Sequence, residues 1–135
     1  MIVWFPYQYV TKNHFGKLYR PYAKILVRNS INPKLWLERI VIVDSGADFT
    51  LFPRKDAYLF GVNLTKDTHI DRTFGVGGSE RVFLYRNLVV KVGGEILKVP
   101  VGFLDRNDIP ALLGRQLFLD LFKVQLAKLK VKFEK

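Results

Sequence analysis

The sequence predicts an all-β fold, mainly antiparallel, closed into a small barrel and carrying one or two short helices. Three observations predict it. Stretches rich in β-branched and aromatic residues recur along most of the chain, among them residues 18–27, 35–43, 80–92 and 95–104. Turn punctuation separates them: Asn13-His14-Phe15-Gly16, Asn29-Ser30-Ile31-Asn32-Pro33 and Gly93-Gly94. Helix signals appear only twice, and briefly. With 135 residues, 49% of them apolar, the chain fits one domain spanning residues 1–135 and is not a disordered segment. A chain of this length buries about two-thirds of its unfolded surface, enough for an ordinary core.

Taken in order, residues 1–20 read as an amino-terminal extension of one or two short strands, broken at Pro6. Pro21 places the start of the strand at 18–27 near a sheet edge. Residues 35–43 return beside it as an antiparallel partner. That second strand ends in Ile40-Val41-Ile42-Val43, a buried run, and passes directly into Asp44-Ser45-Gly46-Ala47. A carboxylate at the mouth of a buried strand is costly unless donors hold it. Ser45 offers a hydroxyl, Gly46 allows a tight turn with an exposed N–H, and Ala47 permits close approach. Residues 40–51 therefore read as a rigid element presenting a reactive acid.

Residues 53–61 have proline near a helix start and glycine just past its end, which predicts one or two helical turns. Residues 68–74 read as a strand. Gly75-Val76-Gly77-Gly78-Ser79 reads as a mobile loop, because three glycines exceed what a tight turn needs. A long strand follows at 80–92, bulged at Arg86-Asn87, and Gly93-Gly94 turns it into 95–104. After a polar loop at 105–108, residues 109–115 read as a short apolar strand ending in glycine. Leu117/Leu121 and Phe118/Phe122 stand at helical spacing, which predicts a short amphipathic helix over 116–122. Strands at 123–127 and 129–133 close the chain.

The net charge of +10 invites a nucleic-acid or acidic-peptide partner. Lys128, Lys130 and Lys132, however, alternate with Leu129, Val131 and Phe133, which is the solvated face of a strand rather than a phosphate-binding patch. Nucleic acid is thus not the expected partner. With no cysteine and only His14 and His69, neither a thiolate site nor a zinc site is expected, and no cofactor is implied. Residues 1–8 are apolar but lack a basic lead-in and are cut by Pro6 and Gln8, a poor signal peptide. No apolar run approaches a membrane span. The default expectation is a soluble cytoplasmic protein with no membrane partner.

Three glycine-marked features stand in fixed order: the strand into Asp44-Ser45-Gly46-Ala47, the tip at Gly75-Val76-Gly77-Gly78, and Leu112-Leu113-Gly114-Arg115 before a helical pattern. Together they resemble the retropepsin-like aspartic proteases, most of all the single-domain cellular and prokaryotic branch related to the retroviral enzymes. The resemblance covers roughly residues 20–133. It implies a closed retropepsin-like barrel in which 40–51 is the active-site strand and loop, 69–92 the flap hairpin, and 109–122 the apolar-Gly segment and helix. It makes Asp44 the catalytic acid, supported by Ser45, Gly46, Ala47 and Asp48. It pairs Asp48 with Arg115 in a partly buried ion pair. It makes Gly75, Val76, Gly77 and Gly78 the flap, and Val43, Leu51 and Val76 wall residues.

Aspartic proteolysis needs two carboxylates about 3 Å apart sharing one proton. One such turn per chain is half a site, so the resemblance implies a homodimer with Asp44 from both copies. Ser45 would cross-link the two loops. Activity would favour acidic to mildly acidic pH, on extended peptide or unfolded protein bound as an added strand. Two departures stand out. Serine replaces the commoner threonine at position 45, and residues 1–20 extend beyond the retroviral form, whose dimers interleave their chain ends in one sheet. Two other readings remain open. One is a catalytically silent peptide-binding module of the same fold. The other is a nucleic-acid-binding barrel stacking bases on Trp4, Phe5, Tyr7 and Tyr9.

Overall fold

Proline and glycine set where the strands break. In the computed structural model, which describes residues 1–135, β1 (Ile2–Pro6) stops at Pro6, and β2 (Gln8–Asn13) and β3 (Gly16–Arg20) form a separate hairpin. The strand expected at 18–27 is interrupted by Pro21, which has no N–H to give a ladder. Only the part beyond it, β4 (Tyr22–Arg28), joins the main sheet. There Ala23, Ile25 and Val27 point inward, as a period of two requires. β4 pairs antiparallel along its length with β5 (Trp36–Val43), from Tyr22↔Ile42 to Arg28↔Trp36.

The chain continues through β6 (Thr50–Pro53), helix α1 (Arg54–Leu59), β7 (His69–Gly75), β8 (Gly78–Val92), β9 (Glu95–Leu104) and the two-residue β10 (Leu112–Leu113). It ends in β11 (Lys123–Ala127) and β12 (Lys130–Glu134). Seven strands lie in the order β4-β5-β10-β6-β9-β8-β7. A further pairing of β4 with β8, Leu26↔Lys91 and Val27↔Val90, curls that sheet closed. β8 can serve both ends because its register with β9 shifts between Tyr85 and Leu88, where a bulge was expected. The hairpin from Val92 to Glu95 turns at Gly93-Gly94 as the sequence indicates. The fold is therefore all-β, mainly antiparallel, with one short α-helix.

The core fills with aromatic and branched side chains. Phe52, Phe60 and Phe103 are fully buried, and the Phe52 and Phe60 rings meet edge to face at 5.0 Å. Pro53 opens α1 and Gly61, at φ +73, follows its end. The second expected helix is corrected: over 116–122 only Leu119–Leu121 forms a single 3-10 turn. Phe118, Leu119 and Phe122 are buried, whereas Leu117 and Leu121 are exposed. The spacing of Phe118 and Phe122 reflects two contacts with the core rather than a helical face. The strand expected over 109–115 is likewise shorter, since only Leu112 and Leu113 find partners.

A second sheet, in the order β1-β12-β11, joins the two chain ends. The amino group of Met1 donates to the Lys135 carbonyl at 2.9 Å, and the Lys135 N–H returns to the Met1 carbonyl at 3.0 Å. Phe5 packs inward on Phe133, while Trp4 faces out, 5.3 Å from the Lys132 ammonium. Lys130 and Lys132 occupy the polar positions of β12, but Lys128 belongs to the preceding turn. That turn puts Lys128 at φ 52 and Leu129 at φ 59, left-handed values that β-hairpins favour with Asn and Gly instead. No helix is long and apolar enough to cross a membrane.

Replacing Lys128 by Asn and Leu129 by Gly should therefore stabilise the fold by about 1 kcal/mol in a urea titration, by relieving the left-handed cost. Unchanged or lower stability would show that the turn is not strained.

Candidate active site

Asp44 is placed by backbone on both sides. β10 slots between β5 and β6, parallel to the first (Leu112↔Ile42, Leu113↔Val43) and antiparallel to the second (Leu112↔Leu51). It thus separates the strand entering the turn from the strand leaving it. The Ile42 N–H donates to the Ala111 carbonyl at 2.9 Å, and the Asp44 N–H to the Leu113 carbonyl at 3.0 Å. The turn closes when the Ala47 N–H donates to the Asp44 carbonyl at 3.1 Å. The Gly46 N–H donates to Asp44 Oδ1 at 2.9 Å, the role its sequence position suggests. Asp44 is half-buried, and Ser45 and Gly46 are exposed.

The far side of the turn is fastened to the segment after β10. Arg115 N–H donates to the Ala47 carbonyl at 3.0 Å, and Gln116 N–H to the Asp48 carbonyl at 2.8 Å. The buried Gly114 N–H donates to the hydroxyl of Thr50 at 3.1 Å, and Thr50 is fully buried. A Cβ on Gly114 would run into the Phe49 backbone carbonyl, so only glycine fits there. Sequence reasoning missed Thr50; a threonine two residues past Asp48 gave no sign of its partner.

The structure brings Asp48 and Arg115 together, with Nη2 and Oδ1 3.1 Å apart. The pair is not partly buried as expected: the two side chains are 81% and 49% exposed. An exposed pair of this kind contributes about 0–1 kcal/mol. The backbone bonds from Arg115 and Gln116, which need no particular side chain, hold the loop instead.

Gly75, Val76, Gly77 and Gly78 form the exposed tip of the β7–β8 hairpin. The expected loose loop is a tight turn, with Gly75 paired to Gly78 across Val76-Gly77 and Gly78 at φ +118, a value glycine adopts without strain. Under the tip lies a cavity of about 280 Å³, bounded by Leu51, Thr73, Leu104, Glu80 and Arg106. Leu51 lines this cavity, Val76 lies outside its lining, and Val43 is buried in the core.

A charged cluster fixes the loop after β9 to the base of that hairpin. Asp105 receives Arg54 at 2.5 Å and Arg81 at 2.7 Å, and both guanidiniums lie over the Phe83 ring. Arg106 grips Asp108 through two nitrogens, at 2.5 and 2.6 Å, and reaches Glu80 at 3.1 Å. Hydrogen bonds from Arg81 and Arg54 hold the Asp105 carboxyl below its usual range, and Arg106 holds Asp108 at about 2. The sequence marked these residues only as a polar loop.

Comparison with solved structures bears on the fold. The chain matches the crystal structure of a retropepsin-like aspartic protease from Rickettsia conorii with a TM-score of 0.67, over 98% of each chain and at 20% identity. The fold is retropepsin-like. No protein-family model matches the sequence, and no curated protein matches it. Within that fold, β10 lies directly against the turn at Asp44.

Thr50→Val should cost about 2 kcal/mol in a urea titration, because it leaves the buried Gly114 N–H without an acceptor, while Thr50→Ser keeps it. Equal losses for the two would mean that the methyl group, not the hydroxyl, matters. A lowered carboxylate stabilises the folded state above its unfolded value and loses that contribution as the pH falls through its folded value. Stability should therefore fall as Asp108 is protonated, between about pH 4 and pH 2. Asp108→Asn should flatten that limb of the Tm–pH curve, and an unchanged limb would remove the Arg106 pair from the acid response.

Proposed function

We propose that the chain is one half of an aspartic endopeptidase, active as a homodimer in which two Asp44 carboxylates share one proton across a two-fold axis. The observation that carries this reading is the single Asp44 turn, its carboxylate held by the Gly46 N–H at 2.9 Å, within a retropepsin-like fold. Such a turn supplies one carboxylate per chain, and the chemistry needs two.

In the proposed step, the ionised Asp44 takes a proton from water as the water oxygen bonds to the scissile carbonyl carbon. The protonated Asp44 of the other copy gives its proton to the carbonyl oxygen. The tetrahedral diol then collapses: a proton passes to the amide nitrogen, the C–N bond breaks, and a carboxylic acid and an amine leave. Ser45, exposed beside Asp44, would bond the partner loop. An extended peptide lies between the hairpin tip and the base of the turn, with one side chain in the cavity beside Leu51. The glycine tip acts as the flap over it.

The dimer contact departs from the retroviral pattern. Met1 and Lys135 bond each other within one chain, so the terminal sheet has no vacancy for a second chain's ends between β1 and β12. Contact is made instead through the turn at Asp44 and the hairpin tips, where Phe74 and Val76 stand exposed.

Digestion of an unfolded protein across acidic pH tests the reading. Wild type should cleave as a dimer in sedimentation, and Asp44→Asn should lose about a thousandfold or more in rate. Cleavage by a monomer, or by Asp44→Asn, would contradict it. A dimer that binds peptide and never cleaves would instead fit the silent peptide-binding module.

A further inference from the structure

We propose that the hairpin β2–β3 is an arm that packs on a second copy of this chain, against its exposed segment 115–121, and supplies much of the contact that holds the dimer. The proposal rests on the two-chain reading above. The contact named there, residues 44–48 and 74–78, amounts to ten residues per chain. A stable interface uses about 20–30 residues on each side. Interleaved chain ends do not make up the difference, since Met1 and Lys135 bond each other within one chain. The arm, residues 8–20, adds thirteen more.

The arm has no cover of its own. It is a two-stranded sheet bonded to no third strand. Such a hairpin is marginal in water and needs another surface against it. β2 is exposed along its whole length, and none of residues 8–20 enters the core. Phe15 at the tip is 93% exposed, and Tyr9 and Val10 are also in solvent. Lys12 stands directly opposite Lys17, a like-charge pair that costs stability. The arm holds no carboxylate to pair with Lys12, Lys17 or Arg20. A surface that is partly apolar and partly acidic would answer both needs.

The point where the arm leaves the body indicates which surface that is. β3 ends at Arg20, and the next carbonyl, that of Pro21, accepts the Val43 N–H at 2.7 Å, one residue before Asp44. β4 then begins with Tyr22 opposite Ile42. The arm therefore emerges at the end of the sheet that carries Asp44, where the second copy sits. Two Asp44 carboxylates about 3 Å apart bring the roots of both arms close to the two-fold axis. Five residues of β3 reach about 15 Å from that root, far enough to cross to the other copy. Segment 115–121 is fastened to the turn at Asp44 through Arg115 and Gln116. It exposes Leu117, Leu121 and the carboxylate of Asp120, with the exposed Asp48 beside Arg115. That is the mixed surface the arm lacks, and a two-fold axis makes the exchange of arms reciprocal.

Sedimentation and amide hydrogen exchange test the arm without relying on turnover. Phe15→Ser should weaken dimerisation about a hundredfold or more, because each dimer covers two of these rings. Leu121→Ser, on the receiving surface, should weaken it as well. Replacing residues 9–19 by Asn-Gly closes Gln8 on Arg20 with a two-residue turn, and should weaken the dimer at least as much as Phe15→Ser. Because no core residue is lost, the dilute monomer of that variant should keep its Tm. In wild type, exchange over residues 8–20 should slow as the protein concentration rises through the dimer midpoint. A dimer of unchanged affinity in Phe15→Ser or Leu121→Ser, or an arm that exchanges as fast in the dimer as in the monomer, overturns the proposal. So does an arm protected only by a single-stranded oligonucleotide or by phosphatidylserine vesicles, which would assign it to a different partner. An arm-dependent dimer that cleaves nothing removes the protease reading and leaves the arm. An active dimer indifferent to the arm does the reverse.

Discussion

Gly114 lies against the carbonyl of Phe49, and that close approach sets the spacing of everything around Asp44. With no Cβ at 114, β10 can enter between β5 and β6, and its neighbours on either side can bond to both limbs of the turn. Leu113 receives the Asp44 N–H; Arg115 and Gln116 give theirs to Ala47 and Asp48. The turn is thus closed by main chain, with Thr50 supplying the single buried side-chain contact. A carboxylate held this way does not have to be reorganised when charge moves near it, which is the property a proton-sharing pair requires.

The succession of strands along the chain was legible because it depends on local signals. Pro6, Gly16 and Gly93-Gly94 mark turns by their backbone preferences, and β-branched runs mark the strands between them. Asp44, the glycine tip and Leu112-Leu113-Gly114-Arg115 were legible as a set, since each is punctuated by glycine. What the sequence hid depends on distant neighbours. Phe118 and Phe122 have helical spacing but point into one core from a non-helical backbone. Asp48 and Arg115 meet as the resemblance implies, yet their burial depended on what would cover them. Thr50 finds Gly114 across 64 residues, and Asp105 collects Arg54 and Arg81 from two other elements. No periodicity encodes such meetings.

Met1 bonds Lys135, and the main sheet curls shut through β4 and β8. Around Asp44 and the hairpin tip it remains open, with Phe74 almost wholly in solvent at 81% exposure. In the proposed dimer these open surfaces meet, and the charged ties from Arg54, Arg81 and Arg106 join the hairpin to the loop after β9.

The central claim is that one working site takes two chains. Calorimetric titration with a peptide whose scissile amide is replaced by a hydroxyl-bearing tetrahedral carbon, a mimic of the diol intermediate, measures it most directly. The account predicts one molecule bound for every two chains, with binding lost in Asp44→Asn. One molecule bound per chain, or binding indifferent to Asp44→Asn, would contradict it.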